Sequence, residues 1–416
     1  MGSPFDRHMG AWVEVFVVRK PVLDRSSRVY GYQLVHADIS RPSCTEHTEE
    51  STLQLIYDST LVFGLGMLGS GKKVLISFTA DAIARDCAAL LPKALTIIDL
   101  HPSVVPSSEH VEWCRGLRDA GYSIIAPVRA GDGGRNALLD VASIVSLDLR
   151  DWPEHKVTPG DPSLPPIRKP LLVRSVDSPD DLDVAQSLGC TYVEGQYFCR
   201  PAILSGGDVP GFRPSYLKLL RTLSDADVNF RVLERIITPE ASLTHKLLRL
   251  VNSPYYGLRS KVTSVDRALV TLGQYGIRQW VAVIAVSELS GNAPAELIVT
   301  SAIRARFCQA VGHAVGMGQR AEELFLMGLF SLLDAIASWP LASLLSDLGV
   351  DGSVRDALLG EPNELRPIYD LILAYEQGQW DAVTQLAENI GLQPKDLPHL
   401  YLPSVEWANY SLDLAS

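Results

Sequence analysis

Along the first two hundred residues, short β-branched runs alternate with stretches whose apolar positions recur at helical spacing. The runs at 13–18, 29–35, 73–78, 95–99, 122–127, 143–148, 170–174 and 191–194 read as eight strands. Strands alternating with helices in that number predict a β/α barrel. The helical stretches at 79–91 and 178–189 open on Thr79 and Ser178, residues whose side chains cap free backbone N–H groups. Two irregularities refine the picture. Only RKPVLDRSSR separates the first two runs, too short for a crossover helix, so these strands are expected to pair as an antiparallel hairpin. The prolines between Trp152 and Pro170 leave no room for a helix after the sixth strand, and a loop is expected there.

SGGDVPGFRP, at 205–214, has the composition of a linker. Beyond it strand signals nearly vanish. Thr238-Pro239-Glu240 reads as a helix start, and helical patterns continue almost to the end of the chain. The expected organisation is a barrel over 1–204, a linker over 205–214 and an all-helical domain over 215–416: α/β followed by all-α.

Composition narrows the function classes. With 47% hydrophobic and 20% charged residues over 416 positions, the chain can fill more than one core. A formal net charge of -11 argues against a general binder of nucleic acid or anionic membrane and favours small ligands or protein partners. The six cysteines form no CxxC pair and no zinc spacing, so they read as reduced thiols, consistent with a cytoplasmic location. The longest apolar run, from Leu324, is interrupted by Asp334 and Pro340 and reads as core helices instead of a membrane span. No cofactor is called for.

GMLGSGKK, from Gly66, approaches a phosphate-binding loop, but it ends on Lys73 where that motif needs a hydroxyl, and it precedes a strand instead of opening a helix. A helix C-cap and turn is the plainer reading. At strand ends, where a β/α barrel gathers its active site, the chain offers Gln33, Ser77, Asp99, Arg129, Asp148, Arg174, Asp177 and Glu194. The acids could hold divalent metal for hydrolysis, or be neutralised by Arg129 and Arg174 in an ion-pair network. In the helical half there is no HD dipeptide and no HExxH; His245 reads as a surface residue. LVNSPYYGLRSKVTSVDRALVTLG, from Leu250, ends one helix and caps the next with Ser264. It is either a structural corner or an interaction surface displaying Tyr255 and Tyr256.

These segments resemble bacterial two-domain signalling proteins with an N-terminal EAL-type domain and a C-terminal HDOD domain. LLRLVNSPYYGL, TSVDRALVTLG and LFLMGLFSLLDAI follow the HDOD pattern in order, and RKPVLDRSSRVYGYQLV looks like the opening hairpin of an EAL barrel, a modified TIM-like fold with its first strand antiparallel. Active EAL members hydrolyse cyclic di-GMP with two divalent ions. The resemblance places the motif Glu on Gln33, a phosphate-holding Arg on Ala37, an Asn ligand on Ser77 and the next Glu on Asp99. It places the paired Asp ligands on Pro127 and Val128, the Lys on Ser146, two late acids on Arg174 and Asp177, and the closing Gln on Glu194. In the helical half the His-Asp position of catalytic relatives reads Leu332-Leu333-Asp334. A proline side chain cannot coordinate a metal and an arginine opposes one by charge, so the resemblance implies a barrel without metal and without hydrolysis. The expectation is a catalytically inactive signalling or scaffold protein of the cyclic di-GMP pathway, acting on partner proteins and able to form homo-oligomers. The alternatives are a receptor that binds the nucleotide through Arg129 or Arg174, and a metal-dependent phosphodiesterase.

Overall fold

The computed structural model describes residues 15–38, 56, 64–129, 136–152, 157–161, 164–199, 219–223, 230–238, 241–253, 258, 260–291 and 293–413. The linker expected at 205–214, and Tyr255 and Tyr256, lie outside this set.

Eight strands close a barrel in sequence order: β1 (Val15–Asp24), β2 (Val29–Asp38), β3 (Lys73–Phe78), β4 (Thr96–Leu100), β5 (Ser123–Val128), β6 (Ile144–Asp148), β7 (Leu171–Arg174) and β8 (Tyr192–Glu194). As the short connection requires, β1 is antiparallel to β2, and it also closes the barrel antiparallel to β8; all other pairs are parallel. The connection is shorter than expected, because β1 runs on through Pro21 to Asp24. Pro21 lies just outside Val22–Asp24, the stretch of β1 paired with β8, so its missing N–H breaks no bond on that side. The turn is held by Asp24, whose carboxylate accepts from the Ser26 and Arg28 N–H groups at 2.8 and 3.0 Å.

Strand alternation sets the layers inside the barrel. Val22, Leu75, Ile97, Ile125, Ile144 and Leu172 form an apolar plug. Two residues further along β3 to β7, the inward positions become Ser77, Asp99, Pro127, Ser146 and Arg174, and on β8 Glu194 follows Tyr192 in the same way. The mouth is thus a polar layer on an apolar floor.

Around the barrel, α1 (Ala80–Ala84) is capped by Thr79 but breaks at Asp86, which sits at φ 51°. The single helix expected over 79–91 is therefore a helix followed by a short 3-10 turn. Longer outer helices are α2 (Ser108–Asp119) and α3 (Pro179–Ser187), with a single helical turn, Leu138–Val141, between β5 and β6; α3 carries a full capping box between Ser178 and Asp181. GMLGSGKK is a four-residue helical turn, Leu65–Leu68, with Gly69 at its C-cap, followed by a turn into β3. No α-helix occurs among the described residues between Trp152 and Pro170.

The second half is helical: α4 (Phe230–Ile237), α5 (Ala241–Val251), α6 (Val265–Leu289, kinked at Gly273), α7 (Ala295–Ala314), α8 (Ala321–Phe330), α9 (Leu333–Ala337), α10 (Leu341–Leu348), α11 (Gly352–Leu359), α12 (Arg366–Gln377), α13 (Trp380–Asn389) and α14 (Leu397–Asp413). Ser264 caps α6 through the Arg267 N–H, and His245 is exposed, both as expected. Helix α7 is the hub. Its backbone meets α8 so closely that a Cβ added to Gly328 would lie 2.4 Å from the Arg304 carbonyl carbon. No single helix among the described residues is long and apolar enough to cross a membrane.

The helical half docks on the barrel's first hairpin. Phe16 stacks on Trp380 with ring centroids 5.0 Å apart and planes within 4°, and the Tyr375 hydroxyl donates to the Val17 carbonyl at 3.0 Å. Arg19 donates to the Leu68 carbonyl, Ser70 Oγ and Asn409 Oδ1, tying β1 to the turn before β3 and to α14.

Candidate functional site

Barrel closure brings the sequence-separated candidates to one mouth. Gln33, Ser77, Asp99, Pro127, Val128, Ser146, Arg174, Asp177 and Glu194 all line one cavity of about 1600 Å³, as do Arg129 and Asp148. Ala37 sits on β2 opposite Phe16 of β1. Val128 touches the mouth but belongs chiefly to the apolar cluster packed outside β5 to β8, as strand alternation after an inward Pro127 requires.

Arg174 occupies the centre of the polar layer. Its Nη2 donates to Asp99 at 2.8 Å and its Nη1 to Glu194 at 3.1 Å; both acids are buried and Arg174 is partly buried. Burial pushes the Asp99 carboxyl up, and Arg174 pulls it only part of the way back while Glu194 adds to the rise. The Gln33 side chain also bonds to Asp99, while its Oε1 is buried with no partner. For Arg174, burial disfavours the charge, but the two carboxylates outweigh it and hold the guanidinium above its ordinary value.

The remaining acids are also engaged. Asp148 is gripped in a fork by Arg150, Nε to Oδ1 at 3.0 Å and Nη2 to Oδ2 at 2.6 Å. Burial works to raise this carboxyl, but the Arg150 bonds hold it below the usual carboxylate range. Asp177 accepts from the Gln196 N–H at 2.9 Å. Arg129, half-buried at the mouth, lies within electrostatic reach of Asp151. Between Arg174 and Asp177 the backbone is forced into the left-handed region at Ser175, φ 58°. Among the described residues no group of three or more His, Cys, Asp or Glu side chains is arranged to hold a metal ion.

The far wall of the cavity was not legible in the sequence. It comes from the helical half and includes Glu296, Arg304, Tyr369, Glu376 and Trp380. Arg304 is buried and pairs with Glu376 through Nε and Nη2, at 2.9 and 2.7 Å, while Nη1 donates to Ser331. This pair stands beside Leu332-Leu333-Asp334, where the sequence resemblance located a vanished His-Asp site. Burial raises the Asp334 carboxyl, and Arg304 partly offsets the rise. Overall the lining carries six Lys and Arg side chains against eight Asp and Glu side chains. Such a cavity exerts no net pull on a polyanion.

Comparison with known proteins places part of this architecture. Residues 209–348 match the HDOD domain family. The helical half therefore contains an HDOD domain, and α11 to α14 extend beyond the matched span. The whole chain is similar to cyclic di-GMP phosphodiesterase CdgJ of Vibrio cholerae, 24% identical over 416 residues covering 98% of this chain and 94% of that protein. It is equally similar to the uncharacterized protein YuxH of Bacillus subtilis, 24% identical over 415 residues covering 96% of this chain and 100% of YuxH. Among solved structures, an EAL domain protein from Listeria monocytogenes aligns with 45% of this chain and 88% of its own at 12% identity, with a TM-score of 0.31.

Proposed function

We propose that this chain is a catalytically inactive signalling protein of the cyclic di-GMP pathway, with a degenerate EAL-type barrel as a regulatory module and the HDOD half as the interaction module. The observation that carries the reading is Arg174, whose guanidinium bridges Asp99 and Glu194 where a hydrolytic site would need acids converging on cations. With Pro127 inward on β5, and with Asp148 and Asp177 already bonded, the donor set at the mouth does not fit a pair of divalent ions. The whole-length similarity to CdgJ supports the pathway; the activity in CdgJ's name belongs to that protein. Turnover of cyclic di-GMP should be absent with magnesium or manganese. Turnover that Asp99→Ala abolishes would overturn the proposal and restore the phosphodiesterase reading.

A second reading, binding without hydrolysis, is favoured by the size of the cavity, about 1600 Å³, and by Lys20 and Arg129 at its wall. Against it stand the excess of carboxylates in the lining and the engagement of Arg174 and Arg150 with acids. Calorimetry at micromolar protein with cyclic di-GMP separates the two. Heat of binding lost in Arg129→Ala supports the receptor, and no heat supports the scaffold.

A further inference from the structure

On the outer face of the first hairpin, back to back with Lys20 and Gln33 of the mouth, Tyr32 reaches across to the helical half. Its hydroxyl donates at 2.8 Å to Glu296, which lies in the first turn of α7 and is 3% exposed. Arg19 lies over the Tyr32 ring, 4.3 Å from its centroid. Its two Nη atoms are committed to Leu68, Ser70 and Asn409 and its buried Nε has no partner, so it acts on Glu296 through its charge and not through a hydrogen bond. A carboxyl group thus sits buried in a domain interface with one neutral donor from the opposite side. It also borders the open cavity, through which protons reach it.

We propose that the Tyr32–Glu296 contact is a proton-linked latch between the barrel and the helical half, closed when Glu296 is neutral and loosened when it ionises. A neutral carboxyl both accepts the Tyr32 hydroxyl and tolerates burial, whereas an ionised one must be stripped of water to stay docked. The direction of titration agrees: burial pushes Glu296 up to about 7, with Arg19 and the Tyr32 bond opposing. The neighbours do not compete over the relevant range. From β1 comes the cation Arg19. Burial raises Tyr32 on β2 far above neutrality, and raises Tyr401 of α14 and Cys199 of the last barrel turn to about 12. Undocked, Glu296 returns towards its ordinary 4.5, so closure takes up a proton. The latch is fully favoured below that value and loses its advantage as pH rises through about 7. The device is independent of whether the cavity binds a nucleotide.

The test is amide hydrogen exchange of the full chain, read on peptides covering 295–303 and 380–389, as the ratio of rates in wild type to those in Glu296→Gln at each pH. Taking the ratio cancels the intrinsic pH dependence of exchange. A shift from 4.5 to about 7 makes the opening ratio rise about tenfold between pH 6 and pH 8. Peptides from β4 to β6 should keep a ratio near one. A flat ratio at the interface, or an equal rise in the barrel core, would overturn the latch, the second because Glu296 would then govern global stability alone. Glu296→Leu, equally silent to pH and better suited to burial, is the second reference if Glu296→Gln does not fold.

Discussion

Replacing Arg174 by methionine removes the one cation shared by Asp99 and Glu194 and leaves the stem volume roughly in place. In the wild type these three side chains are only 16%, 8% and 12% exposed, so the carboxylates cannot recover their hydration without opening the mouth. Breaking a buried ion pair from one side typically costs about 3–5 kcal/mol. The loss here should fall at or below the lower end of that range, about 2–3 kcal/mol near neutral pH, because protonating Asp99 relieves the repulsion. The pH dependence follows from the same groups. Asp99 is already raised by burial, and without Arg174 its native value rises further above the unfolded one. That variant therefore keeps its stability below the unfolded carboxylate value and loses it as pH climbs through the native one. Wild type and Arg174→Met lose this stability in parallel up to the wild-type Asp99 value, so the gap between them should widen as pH rises above it. Urea unfolding followed by circular dichroism at several pH values measures it. A loss below about 0.5 kcal/mol that does not vary with pH would show that Arg174 does not neutralise the mouth.

Three further substitutions probe other parts of the construction. Gly328→Ala should cost several kcal/mol or abolish soluble expression, since its Cβ would fall 2.5 Å from the Ala305 Cα where α7 and α8 touch; differential scanning fluorimetry reads the drop. Phe16→Ala removes the ring between Trp380 and Tyr375 and should destabilise the chain by about 3–5 kcal/mol, with limited proteolysis releasing the helical half earlier than in wild type. Ser178→Ala removes the cap of α3 and should cost about 1 kcal/mol in urea unfolding, leaving any ligand binding unchanged.

The barrel was legible because its strands are short, β-branched and punctuated, and because the ten residues RKPVLDRSSR between the first two apolar runs cannot hold a crossover helix. The mouth residues followed from strand ends, which is why Asp99, Arg174 and Glu194 could be named before their contacts were seen. What a linear reading left open was their pairing. Arg129 and Arg174 were equal candidates for the acids, and only the closed barrel sets Arg174 between β4 and β8, with Arg150 on Asp148. The break at Asp86 was hidden because its neighbours keep helical periodicity across a residue held at φ 51°. Glu296, Arg304 and Glu376 left no signal at all. Each reads as a charged residue on a helix, and its burial depends on partners such as Tyr32, 264 positions from Glu296.

The first hairpin carries a consequence for how the molecule is made. Val17 and Arg19 find hydrogen-bond partners on α12 and α14 that lie 358 and 390 positions further along the chain, and β1 closes the barrel only when β8 has been added. During synthesis Phe16, Arg19 and Tyr32 emerge long before their partners in the helical half, and such distant contacts are slow to form. The hairpin is therefore made well before its final surroundings exist, and until then its aromatic face stands open to the wrong partners.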